Sequence, residues 1–215
     1  MRQIYLTLLF LCIAGSALSV TNKELLDALN LARQNPKAFA DLVKQNPLYW
    51  NATSSTWVAT TEVNCYQKAY DWLMINATAG APLLQADAAV VAAYNYSRLM
   101  ASVGYPCLAL QGTTTLGRVQ EVADFVGSSY VVQNVGGFRG ITEARSWIFN
   151  WIADCGSTTR VKRSKVYSRY VSFGVCSEAY NANIRASFAT CVTTTPLTLK
   201  QSLVGSALYT SAMAA

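Results

Sequence analysis

The stretch QADAAVVAAYNYSRLMASV, at residues 85–103, carries the strongest secondary-structure signal in the chain. Its Ala, Val, Leu and Met residues recur at helical spacing, which predicts a long helix. Residues 129–135, 170–176 and 184–192 are instead rich in residues that favour strands, and the last two are separated by a connection of hairpin length. Helices therefore come first in the chain and strands mostly last, which predicts an α+β fold with helices packed on an antiparallel sheet.

The residues on either side of this helix predict further helical segments. Thr21 and Glu24 have the spacing of a capping box, and a helical stripe continues from there to about residue 45. Pro36 interrupts that stripe, so we expect either a kink or two short helices. Residues 62–75 and 142–155 also carry apolar side chains at helical spacing, which predicts two more amphipathic helices.

The two ends of the chain suggest processing and an appendage. Residues 1–19 combine Arg2, an apolar run of about ten residues and small residues around Ala17, which is typical of a secretory signal peptide. A membrane anchor is the weaker alternative because a span needs roughly 20 apolar residues. We therefore predict a single mature domain at 20–195. The apolar tail at 196–215 is expected to be a docked or loose extension, with a lipid-anchor signal as the alternative.

The composition excludes several classes of active site. The chain has 215 residues, of which 52% are hydrophobic and 13% charged, so it is apolar enough to bury a core. Its formal net charge is +6 and it contains no histidine. A Ser-His-Asp triad, a Cys-His dyad and a histidine-ligated zinc or haem are therefore impossible.

The cysteines and glycosylation sequons fit secretion. Five cysteines follow the predicted signal peptide, so we expect two disulfides and one free or intermolecular thiol. Cys176 and Cys191 are predicted on adjacent strands, where a bridge is sterically possible, and Cys65 and Cys107 are the other candidate disulfide cysteines. No pair has C-x-x-C spacing. Asn51 and Asn76 are the predicted glycosylation sites, ahead of a third sequon, at residues 95–97, inside a predicted helix.

Six motifs, spread over about residues 24–193, occur in the order found in the CAP superfamily of cysteine-rich secretory proteins, venom antigens and pathogenesis-related proteins. The chain resembles this family through the ordered set, since no single motif is decisive. The motifs are Leu29-Asn30-x-x-Arg33-x-x-Pro36, Pro82-Leu83-Leu84 with the Ala-rich helix after it, Gln133-Asn134-Val135-x-Gly137, Trp151-Ile152-Ala153-Asp154, Val161-Lys162-Arg163, and Val171 to Cys176 with Cys191 after it.

The resemblance implies an α-β-α sandwich, in which helices flank a small antiparallel sheet. Many family members bind a divalent metal through two histidines and two acids, and the matching positions here are about Leu108, Gln133, Asp154 and Lys162. Leucine has no donor atom, glutamine is a weak neutral donor and lysine is a cation, so we predict no metal and no other cofactor. These four residues are the candidate ligand-binding positions of a degenerate cavity. Lys162 is expected to pair with Asp154 there, either as a structural replacement for the ion or as an acid-base pair.

Two further regions are candidate interaction sites. Five cations within ten residues, with no acid among them, suggest either a surface for anionic partners or a solvated loop. These cations are Arg160, Lys162, Arg163, Lys165 and Arg169.

The aromatic-rich insertion at about 47–81 could bound a hydrophobic groove, and the resemblance implies sterols or fatty acids as ligands of such grooves.

These observations lead to one functional hypothesis and two alternatives. We expect a secreted, non-enzymatic CAP-domain protein that binds a ligand, with a lipid or sterol as the most specific candidate. The first alternative is an adhesion or interaction module that contacts an anionic surface or an extracellular protein through residues 160–169. The second is a weak hydrolase or peptidase, which the absence of histidine makes a poor candidate. Nucleic acid is not an expected partner because secretion counts against it.

Overall fold

The computed structural model describes residues 20–103, 112–124, 130–137, 143–168, 172–178, 184–191 and 197–214. Within these ranges the chain has eight helices and eight strands. The helices are α1 (Asn22–Gln34), α2 (Pro36–Lys44), α3 (Cys65–Ile75), α4 (Asp87–Val103), α5 (Thr115–Val122), α6 (Ala144–Ala153), α7 (Val161–Val166) and α8 (Ala207–Ala214). The strands are β1 (Trp50–Asn51), β2 (Thr56–Trp57), β3 (Leu84–Gln85), β4 (Ala123–Asp124), β5 (Tyr130–Gly137), β6 (Ser172–Glu178), β7 (Ile184–Cys191) and β8 (Thr198–Leu199).

The first two helices begin and end where local chemistry predicts. The Thr21 backbone N–H donates to the Glu24 carboxylate at 2.7 Å, and the Glu24 N–H donates back to the Thr21 hydroxyl at 3.2 Å. Asn35 then caps α2 by accepting the Ala38 N–H at 3.1 Å. Pro36 occupies the first helical position, where its missing N–H costs no hydrogen bond. The predicted interruption is therefore two separate helices and not a kinked one.

The three long strands form the predicted antiparallel sheet. β7 lies in the middle and pairs antiparallel with both β5 and β6. The short strand β3 adds to the outer edge of β6 in parallel, so the spatial order is β3-β6-β7-β5. The sequence did not predict β3, because its two residues are too few to show a strand pattern.

The helices form two separate hydrophobic cores, and both contact this sheet. One core joins α1, α2, α3 and α6, and Trp147 and Trp151 of α6 are fully buried in it. The other joins α4, α5 and α8, and α4 packs against β6 and β7, whereas α1 contacts β6 from the first core. The sheet between two helical layers confirms the α+β class. The alanines of α4, which are buried almost all around the helix, let it approach the sheet closely.

The C-terminal tail is docked on the domain. β8 pairs antiparallel with β4, and α8 packs against α4. The Tyr209 hydroxyl donates to the Asp87 carboxylate at 3.0 Å, which joins α8 to the start of α4. Residues 197–214 are therefore the docked extension that was one of the expectations for this segment. The predicted signal peptide, at 1–19, lies outside the described residues, and none of the helices within them is long and apolar enough to cross a bilayer.

The disulfide pairing differs from the expectation. Cys65, at the start of α3, is bonded to Cys155, just after α6, with the two Cα atoms 5.8 Å apart. Pairing of Cys65 with Cys107 is therefore wrong, and Cys107 itself lies outside the described residues. Helix packing brings α3 against α6, which the sequence spacing of the cysteines cannot reveal.

The strand register also overturns the other predicted bridge. Cys176 and Cys191 do lie on adjacent strands, as expected. However, Cys176 pairs with Ala186, five residues before Cys191 along β7. At about 3.3 Å per residue this places the two Cα atoms roughly 16 Å apart, well beyond the reach of a disulfide.

Candidate functional site

The turn between α6 and α7 holds the two charged residues of the predicted cavity. Asp154 ends α6 in the left-handed region, at φ +45° and ψ +47°, a conformation that Asp tolerates better than most residues. Its side chain is only 3% exposed. The tight turn directs this carboxylate back toward α7, and Cys155 next to it is anchored to α3 by the disulfide.

Lys162 neutralises this buried carboxylate, as the sequence analysis predicted. The Lys162 ammonium lies 2.9 Å from Oδ1 of Asp154, and the Lys162 backbone N–H donates to Oδ2 at 3.0 Å. The lysine side chain is 41% exposed, so the pair is open to water on one side. Both carboxylate oxygens thus accept a hydrogen bond from the same residue, and the burial of the Asp154 side chain limits the access of a substrate or an ion to them.

The remaining predicted cavity residues are only partly described. The Asn134 side chain, which projects from β5, donates to the Lys162 carbonyl at 3.5 Å and so links the sheet to α7. The backbone of Gln133 pairs with Phe188, but its side chain lies outside the described part of the chain. Leu108 is also outside it. Among the described residues, no group of three or more acidic, cysteine or histidine side chains could hold a metal.

The described part of the basic segment contains helix α7, and it is not the solvated loop that was one expectation. Arg163 is buried, and the other described cations, Arg160, Lys162 and Lys165, are half-buried. Arg160 donates to the Glu62 carboxylate and, at 2.6 Å, to the Asp154 carbonyl. Arg163 is only 9% exposed. It donates to the Ile152 carbonyl at 2.6 Å. Arg163 is therefore wrong as a surface residue, because it is buried and satisfies the Ile152 carbonyl near the end of α6.

Two further observations on Arg163 and Lys165 also show that the cations of this segment are partly buried. The Arg163 guanidinium lies 5.0 Å from the ring centroid of Trp72 in α3, within the range of a cation–π contact. Burial lowers the pKa of Arg163 and, chiefly for the same reason, that of Lys165. Arg169 lies outside the described residues. A cationic surface at 160–169 thus keeps fewer free charges than the sequence suggests.

Glu62 is the acid that balances this segment from the other side. It accepts hydrogen bonds from Arg160, from the Gly156 N–H at 3.0 Å and from Lys68 at 3.4 Å. These donors stabilise the ionised form, and the one from Arg160 contributes most, so the pKa of Glu62 is lowered to about 2. The loop before α3 is thereby fastened to the turn after α6 by charge as well as by the neighbouring disulfide.

A groove crosses the surface where α1, α2 and the first turn of α6 meet. Its volume is about 430 Å³, and Ala28, Leu31, Leu42 and Ala144 supply its apolar lining. A smaller pocket of about 240 Å³ adjoins it, since both share Leu42 and residues at the start of α6. This groove could not be predicted from the sequence, because its lining comes from three helices and no local pattern distinguishes it from ordinary amphipathic surface.

The polar rim of the groove is mainly acidic. Glu24 belongs to the capping box of α1. Asp27 pairs with Lys23 at 2.5 Å, and both side chains of that pair are exposed. Glu143 accepts a hydrogen bond from Asn46 at 2.9 Å, and Arg145 is the cation that lines the groove. Three carboxylates and one guanidinium therefore border an apolar floor.

The aromatic-rich insertion packs its rings against one another. Trp50 of β1 lies opposite Trp57 of β2, with ring centroids 5.2 Å apart. Trp57 also contacts Tyr70 of α3 at 5.2 Å. The Lys44 ammonium lies 4.6 Å from the Trp50 centroid and 5.3 Å from that of Tyr70. The insertion thus forms a three-ring cluster with the Lys44 ammonium over two of its rings, Trp50 and Tyr70, and the cluster lines neither of the two pockets described above.

Both predicted glycosylation sites are accessible. Asn51 is exposed in the β1–β2 hairpin, where its side chain accepts the Thr53 N–H at 3.0 Å. Asn76 is exposed at the end of α3. Glycosylation at these two positions stays a prediction that the exposure permits.

No family model, no curated protein and no solved structure matches this chain. Function is therefore inferred from the chemistry of the described residues, with the family resemblance as an expectation to test.

Proposed function

We propose that this protein is a secreted, non-enzymatic binding protein of the CAP type, which holds a small neutral amphiphile in the groove between α1, α2 and α6. A sterol is the representative ligand. The observation that carries the proposal is the groove itself, an apolar floor of about 430 Å³ under a mainly acidic rim. This volume lies within the roughly 300–1,000 Å³ typical of small-molecule sites.

The hydrogen bonds of the motif residues support the CAP resemblance. The Asn30 side chain donates to the Leu83 carbonyl at 2.9 Å and accepts the Leu83 N–H at 2.7 Å, so two of the six motifs are bonded directly to each other. Arg33 is buried and donates to the carbonyls of Ala81, Val166 and Ser168. These residues hold α1 to the segments before α4 and after α7. These contacts are architectural, and none of them involves the proposed ligand groove.

The absence of an enzymatic function is proposed from the state of the Asp154 carboxylate. This carboxylate is only 3% exposed and is paired with Lys162, and the sequence contains no histidine to act as an alternative base. A general base must lie within hydrogen-bond reach of the proton that it removes. The hydrolase alternative would require Asp154 to become accessible to a substrate.

The rim charges favour a neutral ligand over a fatty acid. The three carboxylates of the rim would repel the carboxylate of a fatty acid, since they outnumber the nearest cations, Lys23 and Arg145. A sterol hydroxyl carries no charge and can donate a hydrogen bond to a carboxylate of the rim. The alternative of an anionic surface partner loses support because Arg160, Lys162 and Arg163 are already engaged with acids or carbonyls.

The proposal is tested by titrating the secreted, purified protein with cholesterol delivered from cyclodextrin and, separately, with palmitate. We expect saturable one-to-one binding of cholesterol and weaker or no binding of palmitate. Leu31→Gln and Leu42→Gln place polar groups in the groove and should each weaken cholesterol binding at least about tenfold. Ile75→Gln is the matched control, because Ile75 is 78% exposed at the far end of α3.

Two outcomes would overturn the proposal. The first is a protein that binds neither lipid at concentrations where a control carrier is saturated. The second is cholesterol binding that the two groove variants leave unchanged, which would place the sterol elsewhere. Preferential binding of palmitate would contradict the charge argument while leaving the groove in place.

A further inference from the structure

The ring cluster of the insertion already holds a cation. Three side chains contribute to it: Trp50 and Trp57 from the β1–β2 hairpin and Tyr70 from α3. Lys44, at the C-terminal end of α2, places its ammonium within 6 Å of two of the ring centroids. An ammonium at this distance from a ring face is attracted by the negative face of the ring quadrupole. The chain thus solvates one of its own cations with aromatic rings.

Backbone structure preorganises these rings. Trp50 and Trp57 are directly opposite each other in the hairpin register, which fixes the spacing of their side chains. Tyr70 lies in the middle of α3, and the core residues Cys65, Ala69 and Leu73 hold that helix in place. The rings are half-buried, so one side of the cluster stays open to solvent. A ligand could therefore enter without unfolding the hairpin.

Carboxylates near the rings make the cluster more favourable for a cation. The carboxylates of Asp41, which is exposed on α2, and of Asp71, which is exposed on α3, are close enough to act electrostatically on Tyr70. Burial raises the pKa of Tyr70, and the negative charges of Asp41 and Asp71 raise it further, so Tyr70 stays neutral and its ring stays a cation acceptor. A cation held between the rings would replace the Lys44 charge near these two acids.

We propose that Trp50, Trp57 and Tyr70 form a binding cage for a quaternary ammonium group, such as that of choline, and that Lys44 is an internal occupant which leaves when the ligand binds. An ammonium group is strongly hydrated, so the Lys44 ammonium can form hydrogen bonds to water after it has left the cage. A quaternary ammonium has no N–H to donate, so aromatic faces are its preferred protein partners. The cage is separate from the proposed sterol groove, and neither depends on the other.

The first experiment measures binding of tetramethylammonium and choline to the intact protein by tryptophan fluorescence and calorimetry, at constant ionic strength. We expect the wild-type protein to bind both, and to prefer tetramethylammonium over ammonium. Lys44→Ala removes the competing occupant and should tighten binding about tenfold. Lys37→Ala is the matched control, because it removes the same charge from an exposed position on the same helix and should leave binding unchanged.

Loss of the rings provides the opposite test. Tyr70→Leu and Trp57→Leu should each weaken tetramethylammonium binding at least about fivefold, whereas Tyr70→Phe keeps the ring and should retain it. Thermal unfolding of each variant shows whether it is folded, and the Lys44→Ala result stands even where a ring variant is not. The proposal is overturned if Lys44→Ala binds no more tightly than Lys37→Ala, or if a folded Tyr70→Leu protein binds like the wild type.

The source of the ligand is distinguished with vesicles. Phosphatidylcholine vesicles present the same group on a lipid surface, and phosphatidylethanolamine vesicles present a primary ammonium instead. Binding to the former but not the latter would support a choline headgroup at a membrane, and binding to free choline alone would support a soluble ligand. If neither choline nor the phosphatidylcholine vesicles bind to Lys44→Ala, the cage is only a structural cation–π cluster. The cholesterol titration has no bearing on this result.

Discussion

Replacing Lys162 by methionine tests whether the ion pair is what makes the buried Asp154 tolerable. The substitution keeps the length and apolar part of the side chain but removes the ammonium 2.9 Å from the carboxylate. Asp154 would keep one donor, the Lys162 backbone N–H at 3.0 Å. The carboxylate is 3% exposed, so water cannot fully replace the lost partner.

The expected loss in the free energy of unfolding lies between the values for a fully buried and a fully exposed ion pair. Removal of one partner from a fully buried pair costs roughly 3–5 kcal/mol, whereas exposed pairs are worth about 0.2–1 kcal/mol. Here one side chain is buried and the other is 41% exposed, so we expect Lys162→Met to lower the free energy of unfolding by about 2 kcal/mol. In a protein of this size that corresponds to a fall in Tm of about 4–8 °C.

A double-mutant cycle measured by urea unfolding isolates the pair. Asp154→Asn removes the charge and keeps a residue that tolerates the left-handed backbone at this position. The double variant should recover part of the loss, with a coupling energy of at least about 1 kcal/mol. Lys23→Met is the control, since its pair with Asp27 is exposed on both sides and should cost less than about 0.5 kcal/mol. Effects that add to within about 0.5 kcal/mol would refute the coupling.

Three further predictions concern the contacts around α3 and α6. Replacing Cys65 and Cys155 by alanine should lower the free energy of unfolding by about 2–5 kcal/mol, because the bridge closes a loop of 90 residues; an unchanged urea midpoint would contradict this. The pKa of Glu62 is about 2 in the folded protein, whereas the ordinary value of a free glutamate side chain is 4.5. The contribution of Glu62 to folding stability is therefore fully present above about pH 4.5 and is lost as the pH falls toward 2. The Tm difference between the wild type and Glu62→Gln should therefore shrink over that range, and a gap that does not vary with pH would count against the hydrogen bonds. Tyr49→Phe removes a buried hydroxyl that donates to the Ser146 carbonyl at 3.0 Å. We therefore expect thermal unfolding to show a decrease of about 1–2 kcal/mol in the free energy of unfolding. A Tm equal to that of the wild type would show that this hydrogen bond makes no net contribution to stability.

Sequence reasoning was most successful where structure depends on neighbouring residues. The capping box at Thr21 and Glu24, the helix break at Pro36 and the long helix α4 were all predicted, and the structure confirms them. Caps, proline effects and helical periodicity act over three to four residues, so the local chain carries the whole signal. The pairing of Lys162 with Asp154 was also predicted, from eight residues apart, but only because the family resemblance placed both in one cavity.

The pairings that failed all depend on how distant segments meet. Cys65 is bonded to Cys155 because α3 packs against α6, and cysteine spacing carries no information about that contact. Cys176 and Cys191 were placed on the correct strands, yet the register separates them by five residues. Register depends on side-chain packing over the whole sheet, which a strand pattern alone does not specify.

The α+β class, the helix boundaries near caps and prolines and the exclusion of histidine chemistry follow from composition and from local backbone preferences. The direction of each charged side chain and ring depends instead on how the elements pack. Arg163 belongs to a basic run, but it is buried and donates to the Ile152 carbonyl near the end of α6. Likewise, Lys44 and Trp50 become partners only when α2, α3 and the hairpin pack together, since attraction between side chains depends on distance in space and not along the chain.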